Sequence, residues 1–219
     1  MNVAAILLIL CLPSAMLAAE PATGGVTGKV PLPARTNSRI AVEKYTGSIS
    51  GKVGSPPLPK AGVWIEGPGL TPSATPPPIQ LSQKDYQFAT SMLVVPCGAT
   101  VIFPNEDPDY HNIFSLSKTK RFDVGRYKTN ERPPPRVTFE RAGFVRLQCE
   151  IHEHMKAAVL VVNSRYFTVT DETGRFTLRG LPPGTYELHA QFDESSKWNM
   201  PVTISAGRIT EVNLTAPAQ

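Results

Sequence analysis

The sequence predicts an all-β protein, with a Greek-key sandwich and a second, smaller β-sandwich. Three observations carry this. The chain of 219 residues holds 22 prolines and 16 glycines, which punctuate it throughout and favour short strands and turns over helices. Its apolar residues fall in short, often alternating runs. Its last quarter reads as two hairpins with glycine-bearing turns. An apolar fraction of 41% permits an ordinary core. The formal charge of +4 is too small and too scattered to argue for nucleic acid as a partner.

The first 19 residues read as an export signal. Residues 4–12 are an uninterrupted apolar run, short for a membrane span, and Leu17-Ala18-Ala19 offers a small-residue cleavage site. The run lacks the usual preceding Lys or Arg, so an uncleaved anchor is the alternative. Cleavage leaves no membrane span, removes Cys11, and places the mature chain in an oxidising compartment, most simply a bacterial periplasm. Residues 20–46 are polar, Gly/Pro-bearing and without periodicity, and are expected to be an extended arm. Residues 47–66 contain two strand signals, Ser48-Ile49-Ser50-Gly51-Lys52-Val53 and Val63-Trp64-Ile65-Glu66. Residues 67–78 read as a Pro-rich linker.

Residues 79–163 are the first sandwich. Strands are expected at 79–88, 92–95, 100–103, 113–116, 137–139, 144–149 and 157–162, with a basic stretch at Lys118, Lys120, Arg121, Arg126 and Lys128. In the 144–149 strand, period two puts Val145, Leu147 and Cys149 on the core face. The 157–162 strand is apolar on both faces. Residues 164–216 hold the two hairpins, and they combine with 47–66 if the first sandwich is inserted between them. Sequential packing, with 47–66 added to the first sandwich, is the alternative.

The chemistry concentrates in Cys149-Glu150-Ile151-His152-Glu153-His154-Met155. No packing need explains a thiol, two imidazoles and a thioether in seven residues. Thiolate, imidazole and a weak thioether are ligands of a blue-copper centre, which needs a second histidine. His111 is available in a turn-rich segment upstream. His152 and His154 compete for one place, and His152 is preferred because Met155 stays in reach. The His-Glu-His string fits neither a zinc hydrolase nor a zinc finger. Cys97 is expected to be a free, partly buried thiol. A Cys97–Cys149 disulfide is the bland alternative.

The spacing of Cys149, His152 and Met155, and the His111-Asn112 pair before an aromatic strand, resemble the cupredoxins of the plastocyanin and amicyanin kind. The resemblance covers roughly residues 79–162. It implies one type 1 copper held by His111, Cys149, His152 and an axial Met155, with Asn112 bonding across to the Cys-bearing loop. Thr168 to Leu188, with its Gly174-Arg175-Phe176 and Pro183-Gly184 turns, resembles a carboxypeptidase-regulatory-like, transthyretin-like sandwich.

The resemblance implies a monomeric, exported electron carrier that serves a redox protein partner, a cytochrome or a dehydrogenase. A periplasmic copper carrier or sensor is the second reading, and an interaction module with a structural metal is a third. Oxidase chemistry would need more histidines than the four present, His111, His152, His154 and His189. Glu106, Asp107, Asp109, Glu150 and Glu153 crowd the ligands in sequence. They are either solvated loop residues or a face for a basic partner.

Overall fold

The computed structural model describes residues 22–33, 49–72 and 75–215. The expected signal at 1–19, and Cys11 with it, lie outside the described residues. The chain opens with β1 (Gly24–Lys29) and β2 (Gly62–Glu66). A central run follows: β3 (Ile79–Gln80), β4 (Gln83–Lys84), β5 (Gln87–Phe88), β6 (Met92–Pro96), β7 (Ala99–Ile102), β8 (Phe114–Leu116), β9 (Arg121–Asp123), β10 (Arg136–Phe139), β11 (Gly143–Gln148) and β12 (Lys156–Val162). The chain closes with β13 (Phe167–Val169), β14 (Arg175–Leu181), β15 (Gly184–Gln191), β16 (Lys197–Ile204) and β17 (Ile209–Asn213).

The sheets separate these strands into an inner and an outer set. Sheets β6-β12-β11-β8-β9 and β10-β7-β3 use central-run strands alone. Sheets β14-β1-β17 and β13-β2-β15-β16 use only strands from the two ends. The first sandwich is therefore inserted into the second. Most pairings are antiparallel, but β6 with β12, β3 with β7 and β1 with β17 are parallel.

Strand β12 joins the two units. Its sequence Lys156-Ala157-Ala158-Val159-Leu160-Val161-Val162 is buried on both faces after the first residue. Ala157, Val159 and Val161 enter the inner core with Phe103, Phe139 and Leu147. Ala158, Leu160 and Val162 face the other way, with Met92 and Val94 of β6, and pack against Trp64, Phe144, Phe167 and Val169. Period-two alternation thus serves two cores with one strand. A Cβ on Gly62 of β2 would lie 2.4 Å from Leu160 Cδ2 and 2.7 Å from Val94 Cγ2, so glycine sets how closely the outer sandwich approaches.

Two expectations for the outer sandwich need correction. Residues 24–29 are not part of an arm: β1 is an interior strand, between β14 and β17. Its sequence, Gly24-Gly25-Val26-Thr27-Gly28-Lys29, has one large apolar residue and three glycines, a composition unfavourable to strands in general. Here the glycines are a packing requirement. A Cβ would lie 2.3 Å from Ser205 O at Gly24, 2.6 Å from Leu178 O at Gly25 and 2.3 Å from Val212 O at Gly28. Conversely, no strand forms over 49–53. Ile49 and Val53 pack on the inner core instead, so this stretch belongs physically to the first sandwich. The remainder of the expected arm, residues 34–46, and positions 47–48 lie outside the described residues.

Two smaller differences lie in the inner unit. The expected strand at 79–88 is broken into β3, β4 and β5, because Asp85 and Tyr86 take left-handed backbone conformations (φ 51° and 57°) and turn the β4–β5 hairpin. The basic stretch contains an edge strand, β9. The Pro-rich 67–72 segment is anchored to the outer core through buried Leu70, whose carbonyl accepts from Arg165 N at 3.0 Å. Strand β11 is as expected: Val145, Leu147 and Cys149 are buried and Arg146 is exposed.

Because Leu160 fills the junction between the sandwiches, Leu160→Ala should destabilise the protein by about 2–5 kcal/mol. Chemical denaturation of the full chain would measure it, and a loss below about 0.5 kcal/mol, the range of a neutral surface change, would contradict the packing described.

Candidate metal centre

Three side chains meet at one end of the inner sandwich. Strand β11 delivers Cys149 at its end, a tight turn brings His152 back beside it (Met155 N donates to His152 O at 2.9 Å), and His111 enters from the opposite side. Cys149 Sγ lies 4.0 Å from His111 Nδ1 and 3.9 Å from His152 Nδ1, and the two Nδ1 atoms are 3.1 Å apart. His111 is fully buried, and Cys149 and His152 are each 3% exposed. The donors of a trigonal site with metal–nitrogen bonds of about 2.0 Å and a metal–sulfur bond of about 2.3 Å stand roughly 3.5–3.8 Å apart. The donor set therefore fits a single transition-metal ion. Among the described residues, this is the one cluster of three His, Cys, Asp or Glu side chains with ligand atoms within 4.8 Å of one another.

The orientation of His111 is set from behind. Its ring engages the Asp107 carboxylate through Nε2 at 2.8 Å, which leaves Nδ1 to face Cys149. Asp107 is itself buried and accepts from the backbone N–H groups of Asp85 at 2.7 Å and Tyr86 at 3.0 Å. Its own N–H donates to Asn105 Oδ1 at 2.9 Å. The two left-handed residues of the β4–β5 turn are thus fastened to the carboxylate that orients His111.

Tyr86 gathers the remaining groups. Its ring meets His111 and His152 edge-on, at centroid distances of 5.6 and 5.3 Å. Its hydroxyl donates to Asp109 Oδ2 at 2.6 Å, and burial together with the Asp109 carboxylate pushes its pKa up to about 12. Its carbonyl accepts from His154 Nε2 at 2.9 Å. His154 is therefore turned away from Cys149, and of the two competing histidines it is His152 that reaches the cluster. Beneath the Tyr86 ring runs Gly51, where a Cβ would lie 2.9 Å from Cε2. Ser50 donates to Asp109 from its N–H at 2.7 Å and its hydroxyl at 2.8 Å.

Burial raises the Cys149 pKa, but the hydrogen bonds from His111 and His152 and the backbone N–H groups of Asn112 and His152 outweigh it, bringing the thiol down to about 5. The pocket is thus built for a thiolate. Burial lowers the His111 pKa, yet its hydrogen bonds to Asp107 and Cys149 leave it raised. Cys97 differs: burial, then the charge of Glu66, pushes its thiol up, and both cysteines are free.

Met155 is fully buried in the inner core, one turn from His152. Asn112 requires a correction. Its side chain donates to Asp123 Oδ1 at 2.8 Å, on β9, rather than to the Cys-bearing loop; the link to Cys149 is its backbone N–H. The acidic residues divide. Asp107 and Asp109 engage His111, Tyr86 and Ser50, whereas Glu106, Glu150 and Glu153 are exposed, with Glu106 3.8 Å from Lys84 and Glu150 2.5 Å from Arg126. His189 lies in the outer sandwich, stacked on Trp64 at 5.0 Å. The residues that sequence reasoning missed are Tyr86 and Asp85; their role follows from backbone conformation, for which a Tyr gives no signal.

A copper-containing nitrite reductase from Thermus scotoductus SA-01 is 24% identical, covering 45% of this chain and 25% of its own, with a TM-score of 0.37. A purple cupredoxin from Nitrosopumilus maritimus is 23% identical over 38% of this chain and 99% of its own, with a TM-score of 0.34. Amicyanin from Paracoccus versutus is 17% identical over 46% of this chain and 97% of its own, with a TM-score of 0.35. The chain is similar to cupredoxins. The carboxypeptidase regulatory-like domain family matches residues 154–217, which adds β12 and the loop before it to the C-terminal strands of the outer sandwich. A search of curated proteins returns no match.

Two predictions arise here. In the metal-free protein, the ultraviolet thiolate band should persist as the pH falls and disappear near pH 5; Cys149→Ser should remove it, leaving Cys97 to ionise only at alkaline pH. A band that titrates in the ordinary range near 8.5 would contradict this. Asp107→Ala should weaken copper binding about 10–100-fold, measured by competition with a chelator, because it releases the orientation of His111.

Proposed function

We propose that the chain is an exported mononuclear blue-copper protein that carries single electrons between redox partners. The observation that supports this is the buried His111, Cys149 and His152 cluster, with its two Nδ1 atoms and a thiolate-favouring Sγ already gathered. His111, Cys149 and His152, with Met155 buried beside them, would hold a copper ion, which would supply one-electron chemistry there. The protein's own part is to hold these groups still. Asp107 fixes the His111 ring, the Tyr86 ring backs both imidazoles, and the inner core holds the Cys149 strand end, so little has to move when the charge of the site changes.

Burial also bears on the choice between carrier classes. A protein that hands copper on needs ligands that can exchange at the surface, whereas His111 is fully buried and Cys149 nearly so. We therefore favour an electron carrier over a copper carrier, and the four histidines of the chain argue against oxidase chemistry. We place it in a periplasm on the evidence of the apolar leader and the Leu17-Ala18-Ala19 site. Its partner is a redox protein, a cytochrome or a dehydrogenase, and the carrier itself is a monomer.

With Cu(II), the mature protein should show an intense visible thiolate charge-transfer band and a narrow copper hyperfine splitting, both abolished by Cys149→Ala. Uptake of Cu(I) alone, with no colour, would favour copper delivery. No specific copper binding at all would end the proposal.

A further inference from the structure

The positive charge of the chain is concentrated in one segment, whose middle passes beside the metal centre. Residues 118–141 carry eight Lys and Arg against three Asp and Glu, an excess of five, whereas the whole chain has an excess of four. Outside this segment the protein is close to neutral. The scattered appearance of the charge along the sequence therefore conceals one basic run.

The fold brings the middle of this run against a ligand. Tyr127 forms an antiparallel bridge with His111: His111 N donates to Tyr127 O at 3.0 Å, and Tyr127 N donates to His111 O at 2.9 Å. Tyr127 is buried, and its neighbours Arg126 and Lys128 are exposed on either side. Arg126 reaches Glu150, the residue after Cys149. Arg132 lies over the Tyr127 ring at 5.3 Å and donates to Val124 O at 2.7 Å. Lys128 lies over the ring of Tyr110, the residue before His111, at 5.1 Å. Tyr110 is 42% exposed, and its hydroxyl donates to Glu131 Oε1 at 3.1 Å. A net cationic surface with an exposed aromatic ring, next to a buried redox centre, has the composition of an electrostatically steered docking face.

We propose that Lys128 and Arg132, with Tyr110 beside Lys128, dock an acidic redox protein. This rests on the electron-carrier reading and gives its partner a charge. Asp107 and Asp109 are held inside the site, and Glu150 and Arg126 pair with each other, so Lys128 and Arg132 supply the cationic character beside His111. Lys128 and Arg132 each contact an aromatic ring, and β9 is the edge strand of its sheet.

The test uses the full copper-loaded chain and two small redox probes of opposite charge. Hexacyanoferrate(III) should oxidise the Cu(I) protein faster as ionic strength falls, and a tris(phenanthroline)cobalt(III) cation should react more slowly as it falls. Lys128→Glu with Arg132→Glu should slow the anionic probe about tenfold at low salt and leave the blue band unchanged. Lys29→Glu with Arg175→Glu, on the outer sandwich, is the control and should change neither. A poly-glutamate peptide should slow hexacyanoferrate in the parent and have no effect in the Lys128/Arg132 variant. Equal effects from the control pair, or a parent that reacts preferentially with the cation, would overturn the proposal while leaving the copper centre intact. If no blue band forms, the electron-carrier reading fails, and the docking proposal falls with it.

Discussion

The carboxylate of Asp107 is the point on which the site depends. One buried group accepts from the Asp85 and Tyr86 backbone and binds the far side of the His111 ring. Burying a carboxylate costs several kcal/mol unless it is well satisfied, and here every partner is a group whose position matters. The turn with two left-handed residues is pinned by the same oxygens that orient the imidazole. The turn places Tyr86, Tyr86 backs both imidazoles, and its carbonyl draws His154 out of competition. Cys149 and His152 are then supplied by an ordinary strand end and turn. Positions are thus set by packing and backbone geometry, and the ionisation state of Cys149 is set by the donors that face it.

The second constraint is β12. A strand buried on both faces is usual in a sheet covered by other layers. Here the covering layer comes from the outer sandwich, through Trp64, Phe167 and Val169, and from Phe144 of the neighbouring strand. The metal-bearing unit therefore has no free outer face along β6 and β12. The site lies at the end of β11, and β9 forms the opposite edge of the sheet from β6.

Much of this was legible in the sequence, and for identifiable reasons. The alternation in β11 pointed Cys149 inward, and the doubly apolar β12 announced a covered strand; both are period-two patterns that the fold keeps. The ligand set was legible because soft donors are dense there. What was not legible depended on partners remote in sequence. Strand β1 looks like a loop because glycine has no strand signal of its own, yet Gly24, Gly25 and Gly28 are there because neighbouring backbones leave no space for a side chain. The stretch 49–53 alternates like a strand, but the N–H and hydroxyl of Ser50 are claimed by Asp109, far along the chain. Asn112 carried the right residue type, but β9 took its side chain.

The insertion also imposes an order on assembly. Strand β1 pairs with β14 and β17, which lie at the far end of the chain, whereas every partner of a strand in the inner sandwich lies between Ile79 and Val162. During synthesis, the inner unit is complete while the first strand of the outer one still waits for both of its neighbours. Loop-closure entropy favours the nearer contacts first. The inner sandwich thus lies between chain ends that meet only through the outer one, and the pairing of β1 with β14 and β17 is the long-range closure of the fold.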